Sequence, residues 1–144
     1  MAAAFEEAEA AFARGEVPVG CVVVDGASGA ILARAGNRTV ELADPTAHAE
    51  MLALRAACAV CGQPRLPDCD LYVTLEPCAM CAAAIGFARV RRLVYGADDP
   101  KMGGVRHGAR VFAQPTCHHR PEILDGIDAT RARDLLRRFF LERR

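Results

Sequence analysis

The stretch Leu71-Tyr72-Val73-Thr74-Leu75-Glu76-Pro77-Cys78-Ala79-Met80-Cys81-Ala82-Ala83-Ala84-Ile85 decides the architecture. Its first five residues are apolar, β-branched or aromatic and read as a strand. From Cys78 to Phe87 the composition turns to alanine and long apolar side chains, which reads as a short helix. Arg92 to Gly96 is a further strand. Strand and helix alternating in this way is the mark of an α/β chain.

Working upstream, Leu54, Leu52 and Met51 continue an apolar helical pattern across residues 47–60, with Thr46 as a fair N-cap. A polar loop from Gly36 to Pro45 precedes it. Val17 to Val24 and Ala30 to Ala35 are apolar runs flanking Asp25-Gly26-Ala27-Ser28-Gly29, the signal of a hairpin. Residues 2–14 are rich in alanine and glutamate and read as a helix ended by Gly15. Downstream lie a glycine-punctuated loop around 97–108, an irregular stretch containing histidines, and a last helix over about 130–141. No repeat, low-complexity tract or linker divides residues 1–144, so a single domain is expected, and its length is sufficient for a core without staples.

Composition bounds the chemistry. No run approaches the roughly 18 apolar residues of a membrane helix, and the opening MAAAFEEAEAAFARG carries acidic residues at 6, 7 and 9 rather than a signal-peptide pattern. A cytoplasmic location and no membrane partner follow as expectations. Seven cysteines, an odd number that includes two C-x-x-C pairs, then point to metal or buried thiols rather than disulfides. The formal net charge of zero conceals a division. Residues 1–88 hold five basic and eleven acidic side chains, while residues 89–144 hold thirteen and seven. That asymmetry is a hint of a polyanionic partner, although arginines solvating a terminal helix would give the same count.

The chemistry is concentrated in two strings, His48-Ala49-Glu50 and Pro77-Cys78-Ala79-Met80-Cys81. His48, Cys78 and Cys81 supply three ligands of the kind zinc takes, leaving a tetrahedral ion one open position, which separates catalytic from structural zinc. An open-site zinc lowers the pKa of its water to about 7, and a carboxylate such as Glu50 beside it can take and return that proton. Both cysteines fall in the first turn of a helix, where the positive end of the helix is expected to lower their pKa values. His-x-Glu alone, or C-x-x-C alone, means little. Together, with proline before the first cysteine and 26 residues between Glu50 and that proline, they form the zinc deaminase signature.

One rival uses the metal differently. Cys58 and Cys61 with Cys78 and Cys81 have the spacing of a closed four-cysteine zinc module without catalysis. That scheme leaves His48 and Glu50 unexplained, and Cys58 and Cys61 read as buried small hydrophobes on an apolar helix face. Cys117-His118-His119 could likewise be mistaken for a second metal site.

The stretches EVPVGCVVV, GNRT, DPTAHAEMLALR, LYVTLEPCAMCAAAI and VYGADDPK resemble the bacterial tRNA adenosine deaminases, within the cytidine deaminase-like superfamily, from about Glu16 to the terminal FFLERR. The resemblance implies a three-layer α/β/α fold with a five-stranded mixed central sheet, a homodimer, one zinc ion per chain and no organic cofactor. It also implies hydrolytic deamination of the wobble adenosine in a tRNA anticodon loop to inosine. His48, Cys78 and Cys81 fall on the family's zinc ligands, Glu50 on its proton shuttle, and Asn37 on the asparagine that contacts the target base. Asp99, Lys101 and the terminal arginines are candidates for RNA contacts outside the pocket, and His119 for shaping the anticodon site. His118 stands where the family commonly has asparagine. Phe140 and Phe139 either stack on RNA or pack with Leu135 and Leu136, and helical periodicity favours packing for at least one. A deaminase of free guanine, cytosine or a nucleoside would share the zinc strings.

Overall fold

The computed structural model describes residues 1–144. Its element order is α1 (Ala2–Ala13), β1 (Gly20–Asp25), β2 (Ile31–Gly36), α2 (Ala49–Cys61), β3 (Cys69–Leu75), α3 (Ala79–Phe87), β4 (Arg92–Ala97), a 3₁₀ turn (Val111–Ala113), β5 (Glu122–Leu124) and α4 (Ala129–Leu141). The five strands form one sheet in the order β2-β1-β3-β4-β5. β1 is antiparallel to both β2 and β3, while β3, β4 and β5 run parallel, so the sheet is mixed as the resemblance implied.

Alternation along the strands sorts side chains to two faces. Cys21, Val23, Leu71, Val73, Leu93 and Tyr95 point to one side, where Ala49, Ala53, Leu54 and Ala57 of α2 and Ala82 and Ile85 of α3 close the larger core. On the other side Phe5 and Ala8 of α1 meet Ala132 and Leu135 of α4, and Ala97, at the very end of β4, joins that cluster. The result is helix, sheet, helix in three layers. The α1 layer sits close to the sheet because glycine lies beneath it: a Cβ on Gly36 would fall 2.6 Å from the carbonyl of Glu7. Both layers are alanine-rich, which lets helix backbone approach strand backbone.

Beyond shifts of one or two residues at other element ends, three departures from the sequence expectation have a local reason. β1 starts at Gly20 rather than Val17, since Pro18 has no N–H to give a ladder and the Val19 N–H turns back to Val17. Thr46 does not cap α2; its N–H and hydroxyl both donate to Asp44 Oδ1 at 2.8 and 2.7 Å, and His48 is the N-cap residue instead. β5, three residues long, carries too few positions for alternation to reveal; its pairing with β4 and the packing of Ile123 against the core hold it in place.

The topology brings one end of the sheet together. Because β2, β3 and β4 all end there, the residues that follow them, Asn37, Glu76 to Cys78, and Asp98 to Lys101, share that rim. Residues that precede β5, His119 among them, lie at the opposite end, where Arg92 pairs with Glu122.

Candidate active site

His48 and Cys78 are each the N-cap residue of a helix, α2 and α3, with extended backbone (ψ of 151° and 173°) and no side-chain hydrogen bond to their own helix. The two imidazole and thiol groups are therefore free to turn towards one another. Cys81, in the first turn of α3, joins them and is fully buried. His48 Nδ1 lies 3.6 Å from Cys78 Sγ and 3.6 Å from Cys81 Sγ, and the three ligand atoms all fall within 4.8 Å of one another. Zinc bonds of about 2.3 Å to sulfur and about 2.0–2.1 Å to nitrogen at a tetrahedral angle hold sulfur and nitrogen ~3.6 Å apart. The donor set and its spacing fit that ion.

Electrostatics at the pair of cysteines divides them. The hydrogen bond from Cys81 and the neighbouring His48 outweigh burial and bring the Cys78 thiol down to about 4. Cys81 moves the other way, raised because it shares its proton with the Cys78 sulfur and is buried beside Glu50. The expectation that both helix-start thiols fall holds for Cys78 alone, since without added positive charge two adjacent sulfurs cannot both ionise. The Cys78 sulfur in turn raises His48. Glu50 is 4% exposed, and burial lifts its carboxyl to about 7, against the opposing effect of a backbone N–H. A carboxyl poised near neutrality next to a metal-type cluster suits proton transfer in both directions.

Asn37 is buried and has a role the sequence did not disclose. Its Oδ1 accepts the N–H of Ala49 at 2.9 Å, capping α2 from outside the helix, while Arg14 donates to its carbonyl at 3.3 Å. The side-chain amide nitrogen makes no hydrogen bond within the protein, so a donor remains for a ligand beside His48 and Glu50. Asp99 sits on the same rim, its Oδ1 accepting the N–H groups of Lys101 and Met102 at 3.1 Å each. Lys101 is exposed at the tip of this turn.

Two other residues lie apart. His119 Nε2 is 2.6 Å from the Val90 carbonyl, lining a cavity beside α3 with Phe87, Arg89 and His118 at the far end of the sheet. Phe140 is 52% exposed near the end of α4, edge-on to Phe139 at 5.3 Å. Phe139 is the packed member of the pair, buried against Phe12. The rival metal schemes do not form. Cys58 and Cys61 are outside the metal-type cluster, and Cys61 is exposed rather than buried. Cys117 donates its S–H to the His119 carbonyl at 3.1 Å.

A second group of metal-type atoms, from Glu76, Asp98 and His107, also falls within 4.8 Å. It escaped the sequence reading because its members are 22 and 9 residues apart with no motif between them.

No helix of the chain is long and apolar enough to cross a membrane. Residues 1–97 match the family described as the cytidine and deoxycytidylate deaminase zinc-binding region. A tRNA-specific adenosine deaminase of Agrobacterium fabrum is 56% identical over the whole of this chain and 93% of its own length. A structure solved in studies of A-to-I editing by tRNA:A34 deaminases at the wobble position superposes with a TM-score of 0.90 at 56% identity, over 94% of this chain and 96% of that one. A guanine deaminase from Nitrosomonas europaea shares the fold at lower identity, 26%, with a TM-score of 0.80 over 94% of this chain and 80% of its own. With helices, sheet and ligand cluster arranged as above, the chain belongs to the zinc-binding cytidine and deoxycytidylate deaminase family and, within it, to the tRNA-specific adenosine deaminases.

Proposed function

We propose that this protein is a zinc-dependent hydrolase that deaminates the wobble adenosine of a tRNA anticodon to inosine. The single observation that carries the chemistry is the His48, Cys78 and Cys81 triangle with buried Glu50 beside it. What favours tRNA over a free base is the level and extent of likeness: 56% over the whole chain to an enzyme named for tRNA, against 26% over 94% of this chain to one guanine deaminase and 42% over only 66% of it to another, from Bacillus subtilis.

His48 Nδ1 and the two sulfurs would hold zinc, which when bound would supply the charge that acidifies the attacking water. Glu50 takes the water's proton as the oxygen adds to the amino-bearing carbon of adenine, and passes it to the adjacent ring nitrogen. It next takes the remaining proton from the added hydroxyl and passes it to the amine; the C–N bond breaks as the C=O bond forms, and ammonia leaves with inosine formed. Asn37 contributes its free amide N–H to the base edge while its carbonyl stays on α2, which ties base position to the helix that carries His48 and Glu50. The adenosine has to be splayed out of its loop to reach this depth.

Asp99, Lys101 and the arginines of α4 are proposed to meet the RNA outside the pocket. Phe140, exposed beside the arginine-lined end of α4, is offered for stacking. A homodimer is supported by α3, which has no charged residue and leaves Phe87 81% exposed beside a cavity of about 650 Å³. Helices apolar on all sides are ordinarily covered, and His119 belongs to that face, so it would act through the partner copy. A cytoplasmic location accords with a tRNA substrate.

The test is a comparison of substrates. Purified protein is incubated with a tRNA bearing a wobble adenosine, with guanine and with cytidine, and the products are scored for inosine, xanthine and uridine. Inosine only in the tRNA is expected, abolished in Glu50→Ala with one zinc per chain retained. Xanthine or uridine without inosine would overturn the substrate, and inosine formation by Glu50→Ala would remove Glu50 from its role.

A further inference from the structure

Glu76 immediately precedes the Pro77-Cys78 segment, and its side chain is 0% exposed. A buried carboxylate is costly unless it is fully hydrogen-bonded. Here five N–H groups converge on it. Oε1 accepts from the backbone of Val105, Arg106 and His107 at 3.1, 2.8 and 3.0 Å. Oε2 accepts from the backbone of Asp99 at 2.9 Å and lies 2.7 Å from His107 Nδ1. A carboxylate has about four lone-pair sites, so this one is saturated. The spacing of Glu76, Asp98 and His107 would admit a cation, but the five donors aimed at Glu76 leave no oxygen facing one. The cluster is an anchor for the 98–108 loop.

The same loop touches the metal-ligating segment directly. Gly104 N–H donates to the Pro77 carbonyl at 2.8 Å, and Gly103 bridges to Cys78. Approach this close needs glycine: a Cβ on Gly103 would lie 2.5 Å from the Asp99 carbonyl oxygen and from Glu76 Cδ, and one on Gly104 2.5 Å from the Ala79 nitrogen. Asp99, at the outer end of the loop, donates its N–H inward to Glu76 while its own carboxylate fixes the turn carrying Lys101. The loop thus has two faces, one bonded to Glu76 and one presented to solvent at the pocket rim.

We propose that His107, through Glu76, is a positioning residue: the pair locks the 98–108 loop onto the Pro77-Cys78 segment and so sets where Asp99 and Lys101 meet the RNA. The inference rests on the tRNA reading for the two rim residues, not for the lock itself. His107 donates the one side-chain bond of the five and is itself 35% exposed, so it can be changed without emptying the core. Its loss frees the loop end and removes no metal ligand, and the Gly103 and Gly104 contacts to Cys78 and Pro77 do not involve its side chain.

Two variants test this in the zinc-loaded full chain. His107→Ala removes the bond, and His107→Asn restores a donor close to the position of Nδ1. Amide hydrogen exchange at Asp99, Val105 and Arg106 is expected to quicken about tenfold or more in His107→Ala, with zinc still at one per chain. On an anticodon stem-loop substrate KM should rise about fivefold or more while kcat stays within about twofold. His107→Asn should recover both readings. Unchanged exchange in His107→Ala would overturn the lock, and quickened exchange with an unchanged KM would overturn its link to RNA. A fall of kcat and zinc together would make the anchor a support of the metal site instead. Wild-type protein that forms no inosine would remove the substrate reading, and the exchange measurement would still decide the lock.

Discussion

At the scale of single residues, the site divides into side chains whose chemistry is written in their letters and one whose role is set by geometry. His48, Glu50, Cys78 and Cys81 were legible because few reactions use that combination at that spacing. Asn37 was legible only in part: a Gly-Asn pair after a strand looks like a turn, and its bond to the Ala49 N–H joins residues 12 apart in the sequence across a loop. The opposite shifts of Cys78 and Cys81 were hidden for the same reason, since sharing a proton between sulfurs is a matter of distance. Asn37 carries two duties and should show two losses. Asn37→Ala uncaps α2, costing about 1 kcal/mol of stability, and removes the amide donor. The variant should unfold at lower urea concentration and show a KM for tRNA raised about tenfold, that factor corresponding to one hydrogen bond of about 1.4 kcal/mol. Denaturant titration and steady-state kinetics measure the two independently. A stable variant with unaltered KM would mean the amide faces neither helix nor base.

At the scale of elements, helix and strand periods exposed α1 to α4 and β1 to β4 to within a few residues, because each is long enough for a pattern to repeat. Loops were different. The 98–108 segment offers glycines and charges that read as irregular, yet it is organised by a carboxylate 23 to 31 residues upstream of the groups it binds. Burial alone would raise the Glu76 carboxyl, but the N–H groups of Asp99, His107 and Arg106 and the His107 ring outweigh it and hold Glu76 below its ordinary 4.5. A depressed native pKa means that the unfolded chain takes up the proton first on acidification. The stabilisation by ionised Glu76 is therefore complete above about pH 4.5 and fades as pH falls through the lower native value. Glu76→Gln cannot be ionised at any pH and turns an amide towards the N–H donors. It should be less stable than wild type by about 1–3 kcal/mol near pH 7, with the gap narrowing below about pH 4. Urea unfolding of both proteins at the two pH values reads the double difference, in which effects of acid on the shared metal site cancel. A gap that is constant with pH would show that Glu76 does its work by shape rather than by charge.

At the scale of the whole molecule, the charge division seen along the chain becomes a distribution in space, and much of the basic half is spent internally. Arg131 pairs with Glu9 at 2.9 Å and covers the Phe5 ring, Arg138 covers Phe12, and Arg143 lies 3.6 Å from the centre of the Phe139 ring. Arg131 and Arg138 fasten α4 to α1, and Arg143, also 5.6 Å from the centre of the Phe12 ring, closes the end of the same seam, so a count of arginines overstates what is free to meet phosphate. Within α4 and the residues after it, Arg133, Arg137 and Arg144 make no ion pair and do not cover a ring, so they are the cations this end of the chain leaves for RNA. Each phosphate neutralised on a single strand steepens the dependence of log affinity on log salt by about 0.7. Replacing Arg133, Arg137 and Arg144 together by glutamine should flatten that slope by about 2 if all three engage. Stability should change by less than about 0.5 kcal/mol, as is usual for surface substitutions away from structural contacts. Replacing Arg131 and Arg143 should instead lower stability and leave the slope close to that of wild type, because packed cations release no counterions when RNA binds. Affinity for an anticodon stem-loop measured from 50 to 300 mM salt distinguishes the two sets. A triple variant with the wild-type slope would assign these three arginines to solvation, and the polyanion would then be gripped away from α4, at the rim that carries Asn37 and Lys101 or by the unpaired arginines outside α4.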